Sequence, residues 1–175
     1  MILSGNEIVA ARTRGEIVIE PFTPDLVNPN SYDFSLGAKL IEAASPGGKL
    51  VEHQLTSDGL VLLPQHLYLG HTLEVIGSTS YATTLLGRSS IGRLGLFLNV
   101  TADLGHVGSN SQWTLEMTVV QPLRIYPGMR VGQVAFWEQL GTPTHYAGRY
   151  HGDVGPQLSK DQPLSAEQFD DSKRH

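Results

Sequence analysis

From Trp113 to Val119 every second residue is apolar: Trp113, Leu115, Met117 and Val119 alternate with Thr114, Glu116 and Thr118. A period of two places all four apolar side chains on one face of an extended chain, which no helix can do, so this segment is a strand with one buried face. The same pattern occurs where Tyr32, Phe34 and Leu36 alternate with Asp33 and Ser35. Continuous apolar runs at Leu60 to Leu63, Leu67 to Ile76, Leu94 to Val100 and Val131 to Phe136 supply further short strands. With 19 Gly and 10 Pro dividing these segments, the chain reads as a mostly-β fold. Tyr126-Pro127-Gly128-Met129 has the chemistry of a type II turn, and Pro46-Gly47-Gly48 marks another bend.

One segment departs from the period of two. Ser4 and Glu7 form a capping box, Leu3 and Ile8 stand where a hydrophobic staple places them, and Gly15 follows the basic Arg12 and Arg14. These signals predict a short N-terminal helix ending by residue 14. From about Gly141 the apolar periodicity stops, which predicts a weakly structured tail that is either inert or closes over a ligand.

At 175 residues the chain is long enough for one well-cored domain. No window reaches the ~20 apolar residues that a membrane span requires, and the start lacks a basic segment followed by an apolar core, so a cytoplasmic protein is expected. A net charge of -5 argues against a general nucleic-acid binder, so an anionic ligand must be met by a local cluster of cations. With no Cys there is neither a disulfide nor a thiolate zinc site, and the seven histidines form no H-E-x-x-H pattern.

That local cluster is Gly87-Arg88-Ser89-Ser90-Ile91-Gly92-Arg93. If it makes a helical turn, Ser89 and Arg93 share one face, and free backbone N–H groups, two hydroxyls and the planar donor fork of Arg88 form an anion site. The alternative is an N-capped surface helix with solvated arginines. Glu116, in the middle of an apolar strand, needs a partner, and Arg93 is the natural one. Such a pair either merely satisfies two charges or performs proton transfer.

Together the segments "MILSGNEI" (1–8), "NPNSYDFSLG" (28–37), "GRSSIGRLGL" (87–96), "NVTA" (99–102), "TLEM" (114–117) and "YPGMRVGQVAF" (126–136) resemble the dCTP deaminases of the dUTPase-like superfamily. The resemblance implies a distorted β-barrel or jelly-roll subunit with a short N-terminal helix and one short internal helix. Residues 1–160 would form a single domain including a closing tail, and residues 161–175 a disordered extension. It also implies a homotrimer with active sites at subunit interfaces.

The implied reaction is zinc-independent hydrolysis of dCTP, or of a close cytosine nucleotide, to dUTP and ammonia, with Mg²⁺ accompanying the triphosphate. Glu116 would be the general acid/base, Ser89 and Arg93 would position and polarise base and water, and the backbone of Ala102 would lie near that water. Arg88 and Ser90 would meet phosphates. A zinc deaminase would instead carry a His/Cys cluster.

The chain departs from the family pattern at two places. In "DLGHVGSNSQ" His106 stands where the family carries an Asp against the deoxyribose, with Asp103 as a possible substitute and Val107 in place of Pro. In the tail Arg149 and Tyr150 fall on the family's Lys-Tyr pair, Asp153 stands at a Gln position where it would repel phosphates unless it reaches Mg²⁺ instead, and Tyr146 is a second aromatic that could close over the nucleotide. Two further readings follow from these departures: a dUTP diphosphatase or bifunctional deaminase-diphosphatase, and a non-catalytic nucleotide-binding regulatory trimer.

Overall fold

The computed structural model describes residues 1–44, 50–98 and 102–160. The bend at Pro46-Gly47-Gly48, residues 99–101 of the "NVTA" segment and the extension 161–175 lie outside the described residues. Helix α1 (Gly5–Thr13) is followed by strands β1 (Ile17–Glu20), β2 (Tyr32–Ser35), β3 (Lys39–Ala44), β4 (Val51–Gln54), β5 (Leu60–Leu62), β6 (Leu67–His71), β7 (Val75–Ser78) and β8 (Ala82–Gly87). A single-turn helix α2 (Ser89–Gly92) precedes β9 (Leu96–Leu98), β10 (Leu104–Gly105), β11 (Asn110–Ser111), β12 (Thr114–Val119), β13 (Leu123–Ile125) and β14 (Arg130–Trp137).

The strands form a five-stranded sheet β4-β3-β6-β12-β9, a four-stranded sheet β10-β8-β14-β2, a three-stranded sheet β1-β7-β11 and the pair β13-β5. Every pairing is antiparallel. Inward side chains from all four, among them Phe34, Leu62, Ile76, Leu115, Met117 and Phe136, meet in one apolar core. The chain is therefore mostly β with two short helices.

Helix α1 follows its sequence signals. Ser4 Oγ accepts the Glu7 N–H at 3.3 Å, Gly15 takes φ +77° just beyond the end, and Leu3 and Ile8 are both buried. The Glu7 carboxylate turns to Arg14 Nη2 at 2.7 Å. The Tyr126–Met129 turn has Gly128 at φ +77° and a Met129 N–H to Tyr126 O bond of 3.3 Å, as the type II pattern requires. It carries the chain from β13 into β14, which belong to different sheets.

Three strand expectations need correction. Strand β2 is buried on both faces, because Asp33 and Ser35 are covered as well as Tyr32 and Phe34. Their polar groups remain bonded: Asp33 accepts from Asn28 Nδ2 at 2.8 Å, and the Ser35 N–H donates to the buried Glu74 carboxylate at 2.9 Å. The run Leu67 to Ile76 is two strands in two sheets. It breaks at Thr72, whose hydroxyl donates to Glu74 O at 2.7 Å and accepts the Trp113 N–H at 2.9 Å. The run from Leu94 likewise becomes a strand only at Leu96, after Gly95 turns the chain at φ +90°.

The tail carries no helix or strand over residues 141–160, yet it is not loose. The Tyr146 N–H donates to Val107 O at 2.8 Å, the Gln112 N–H to Asp153 O at 3.0 Å, the Gly155 N–H to Gln112 Oε1 at 2.9 Å and the Gln157 N–H to Thr114 Oγ1 at 3.0 Å. The backbone needs these partners outside any ladder, and they come from the turn before β11, from Gln112 after it and from the start of β12.

Candidate active site

Where the tail crosses the turn between β10 and β11 and the first half of β12 it borders a pocket of about 430 Å³, a volume suited to a nucleoside-sized group. The chain passes from β10 to β11, which lie in different sheets, through the turn His106–Ser109, with the Ser109 N–H on His106 O at 3.1 Å and Gly108 at φ +88°. Val107, at the position given to Pro in the family pattern, is buried, and its carbonyl receives the tail. His106 is exposed and lines the pocket, stacked on Tyr146 with ring centroids 5.5 Å apart.

Glu116 lies on β12 between Leu115 and Met117, which are fully buried in the core. The strand's alternation turns Glu116 to the opposite face, half-buried in the pocket wall, and Ala102 lines the same space. Tyr146, Tyr150 and Asp153 complete the tail side. The pocket therefore brings together Glu116, Ala102, His106, Tyr146, Tyr150 and Asp153. Asp103 is exposed outside it, with its carbonyl accepting the Leu85 N–H at 2.8 Å. Arg149 lies outside the lining as well, its carbonyl bonded by Lys160 Nζ at 2.6 Å.

The four residues of the RSSIGR segment lie elsewhere. Arg88 caps α2, Ser89 and Ser90 are exposed on its single turn, and Arg93 is its exposed C-cap. The Val120 N–H bonds Gly95 O just after this turn, at the far end of β12 from the pocket. Val120 is four residue steps from Glu116, about 13 Å at the usual rise. Within one chain no ion pair joins Arg93 to Glu116 among the described residues, and Arg93 lies beyond the distal end of β12. Arg88 places Nε 3.3 Å from the buried Asp33 carboxylate, with Arg130 Nη1 at 4.0 Å from the same oxygen. That carboxylate holds the Nε edge of the Arg88 guanidinium.

The scaffold behind the pocket includes two buried titratable groups. The Nε2 of His71 accepts the Lys39 N–H at 3.3 Å and its Nδ1–H donates to Thr72 O at 2.8 Å, so the ring is held neutral. Burial lowers its pKa below the ordinary histidine value. Burial likewise raises the pKa of Glu74, against the Ser35 N–H that favours its charged form.

Several contributors were not evident in the sequence. Gln112 holds the tail with its backbone and its side chain, and Gln157 lines the pocket. The Trp113 indole donates Nε1–H to Ile76 O at 3.1 Å and lies where a Cβ at Gly105 would be. Only the apolar period of β12 pointed toward Trp113, and nothing local marked the two glutamines.

Comparison with known proteins places this geometry. Residues 2–139 match the family model described as dCTP deaminase-like. A dCTP deaminase of Rhodopirellula baltica is 41% identical over 168 residues, covering 90% of this chain and 84% of the relative. A protein of Clostridium beijerinckii named dCTP deaminase, dUMP-forming, is 40% identical, covering 91% of this chain and 95% of the relative. The solved 2'-deoxycytidine 5'-triphosphate deaminase of Agrobacterium tumefaciens matches with a TM-score of 0.64 at 26% identity, over 77% of this chain. Our chain spans about half of that solved chain, 47% of its length. With a half-buried glutamate on the "TLEM" strand, and with relatives at about two-fifths identity over nine-tenths of its length, the chain belongs to the dCTP deaminase-like enzyme family.

Proposed function

We propose that this protein deaminates dCTP at C4 of the cytosine ring, releasing ammonia and a uracil nucleotide, with Glu116 as the general acid/base. The observation that carries this reading is the placement of Glu116 and Ala102 in one nucleoside-sized pocket. Glu116 takes a proton from water as the oxygen adds to C4 and gives it to N3. A second proton then passes to the amine, and the C4–N bond breaks to release ammonia. One carboxylate performs both transfers because it returns to its starting state at the end.

The pocket lining contains Glu116 and Asp153 but neither Lys nor Arg among the described residues. It therefore suits the uncharged base and sugar, and the triphosphate needs cations from outside it. Arg88, Ser89, Ser90 and Arg93 form such a cluster on the same chain, beyond the reach of this pocket. A second copy supplies them in our reading, which is a homotrimer with sites at subunit interfaces: Ser89 and Arg93 act on base and water, Arg88 and Ser90 on phosphates. Among the described residues no three His, Cys, Asp or Glu converge to hold a metal. In our reading Mg²⁺ enters as part of the nucleotide substrate.

A second reading, deamination followed by loss of pyrophosphate, is favoured by relatives named as dUMP-forming. His106 at the carboxylate position of the β10–β11 turn argues for the uracil triphosphate as product. One assay separates the two: the pure protein is given dCTP and Mg²⁺, and ammonia, dUTP, dUMP and pyrophosphate are followed together. Deamination alone yields ammonia and dUTP, and the coupled reaction yields dUMP and pyrophosphate. Tight nucleotide binding with no ammonia from any cytosine nucleotide refutes catalysis and leaves the regulatory reading. Glu116→Gln is expected to reduce turnover by roughly 10² to 10⁴ with nucleotide binding retained.

A further inference from the structure

One wall of the pocket, the segment 149–160, holds its shape without a helix or strand. Its two ends are joined through Lys160, whose carbonyl also accepts from Arg149 Nη1 at 3.4 Å. Lys160 Nζ donates to Arg149 O at 2.6 Å and to the two Asp153 carboxylate oxygens at 2.8 and 3.0 Å, and it lies 4.7 Å from the centre of the Tyr150 ring. The Lys160 N–H also donates to Tyr150 Oη at 3.0 Å. The ammonium thus bonds a carbonyl and a carboxylate while facing an aromatic ring, and all three belong to one loop.

The middle of that loop is fixed separately, by Gln112 and Thr114 on Asp153, Gly155 and Gln157. Lys160 closes the ring of chain that these bonds leave open. It also removes an electrostatic obstacle. An unpaired Asp153 would add its bare negative charge to a pocket that Glu116 also lines and that receives one end of a polyanion. With the ammonium under 3 Å from Asp153 Oδ2, the tail side carries a neutral pair instead.

We propose that Lys160 is a positioning residue for the base-and-sugar pocket: paired with Asp153, it latches the tail so that Tyr150, Gln157 and Leu158 stand as a preformed wall. The ligand class follows from the nucleotide reading above, on which the binding half of the proposal rests. Because the latch shapes the wall rather than contacting phosphate, it serves deoxycytidine and dCTP alike.

Amide exchange in the ligand-free full chain tests the latch without any turnover. In Lys160→Met the protection of the Gly155 and Gln157 amides is expected to fall on the order of tenfold, and Lys160→Arg is expected to restore it. Calorimetric titration with deoxycytidine and with dCTP is expected to show both weakened by the same factor, about three- to tenfold. Asp153→Asn combined with Lys160→Met is expected to be no weaker than Lys160→Met alone. Wild-type exchange in Lys160→Met overturns the latch. Weakening of dCTP with deoxycytidine unchanged overturns it too, by making Lys160 a phosphate ligand. If the wild-type protein binds neither ligand, the nucleotide reading falls while the exchange measurement still decides the latch.

Discussion

The separation of Arg93 from Glu116 along β12 yields a quantitative test of how the active site is built. If one site takes Glu116 from one subunit and Arg93 from a neighbour, Glu116→Gln and Arg93→Ala are each inactive as pure proteins. Mixed after co-refolding, they complement. A site in the mixture is intact when its Glu116 donor is an Arg93→Ala subunit and its Arg93 donor is a Glu116→Gln subunit. In an equal mixture each choice has even odds, so about a quarter of the sites regain both groups. Ammonia release from dCTP is expected to recover to about a quarter of the wild-type rate per site, against a background at least a hundredfold lower for either variant alone. The recovery follows the product of the two subunit fractions, and is therefore maximal at equal mixing. A site contained in one chain predicts no recovery at any ratio, and a flat mixing curve refutes both the strand-length argument and the interface site. Size-exclusion of the mixture confirms that mixed oligomers formed before the result is read.

Other outcomes follow from the scaffold. His71 is held neutral with a lowered pKa, so below the ordinary histidine value of about 6.5 the unfolded chain binds a proton that the folded chain refuses. Its contribution to stability is complete above that value and declines as the pH falls toward the folded pKa; the melting temperature from pH 7.5 to 5.5 is expected to drop less in His71→Asn than in the wild type. Glu74 has the opposite sign. Its raised pKa makes the charged form costly above the ordinary carboxylate range, so Glu74→Gln is expected to gain stability at pH 7 relative to pH 4 in urea titrations. Gly105→Ala drives a Cβ into the Trp113 ring and the Thr83 hydroxyl, and is expected to cost about 2 kcal/mol in urea unfolding, with a shifted indole fluorescence. Leu115→Ala empties a fully buried site behind Glu116 and is expected to cost about 3 kcal/mol by the same measure.

What the sequence revealed, and what it did not, divides along the reach of each signal. The helix at Gly5 and strand β12 were legible because a capping box and a period of two are read over a few neighbouring residues. The double burial of β2 was not, since Asp33 is covered through Asn28 and Arg88, which the fold alone brings to it. The break in the run from Leu67 was hidden because Thr72 leaves the strand for bonds to Glu74 and to Trp113, the second forty-one positions away. The site shows the same limit from two sides. Glu116 and Arg93 carry the right chemistry at the family's spacing, and the natural inference that they touch ignores that a straight strand runs between them. Asp153 shows the reverse: judged alone it is a misplaced negative charge at a phosphate-facing position. Its partner stands only seven residues on, in a loop that Gln112 and Thr114 hold from β12's side and that Arg149 and Tyr150 tie to Lys160. A residue that breaks a family pattern is therefore better weighed against the charges its loop can fold onto it than against the residue it replaces.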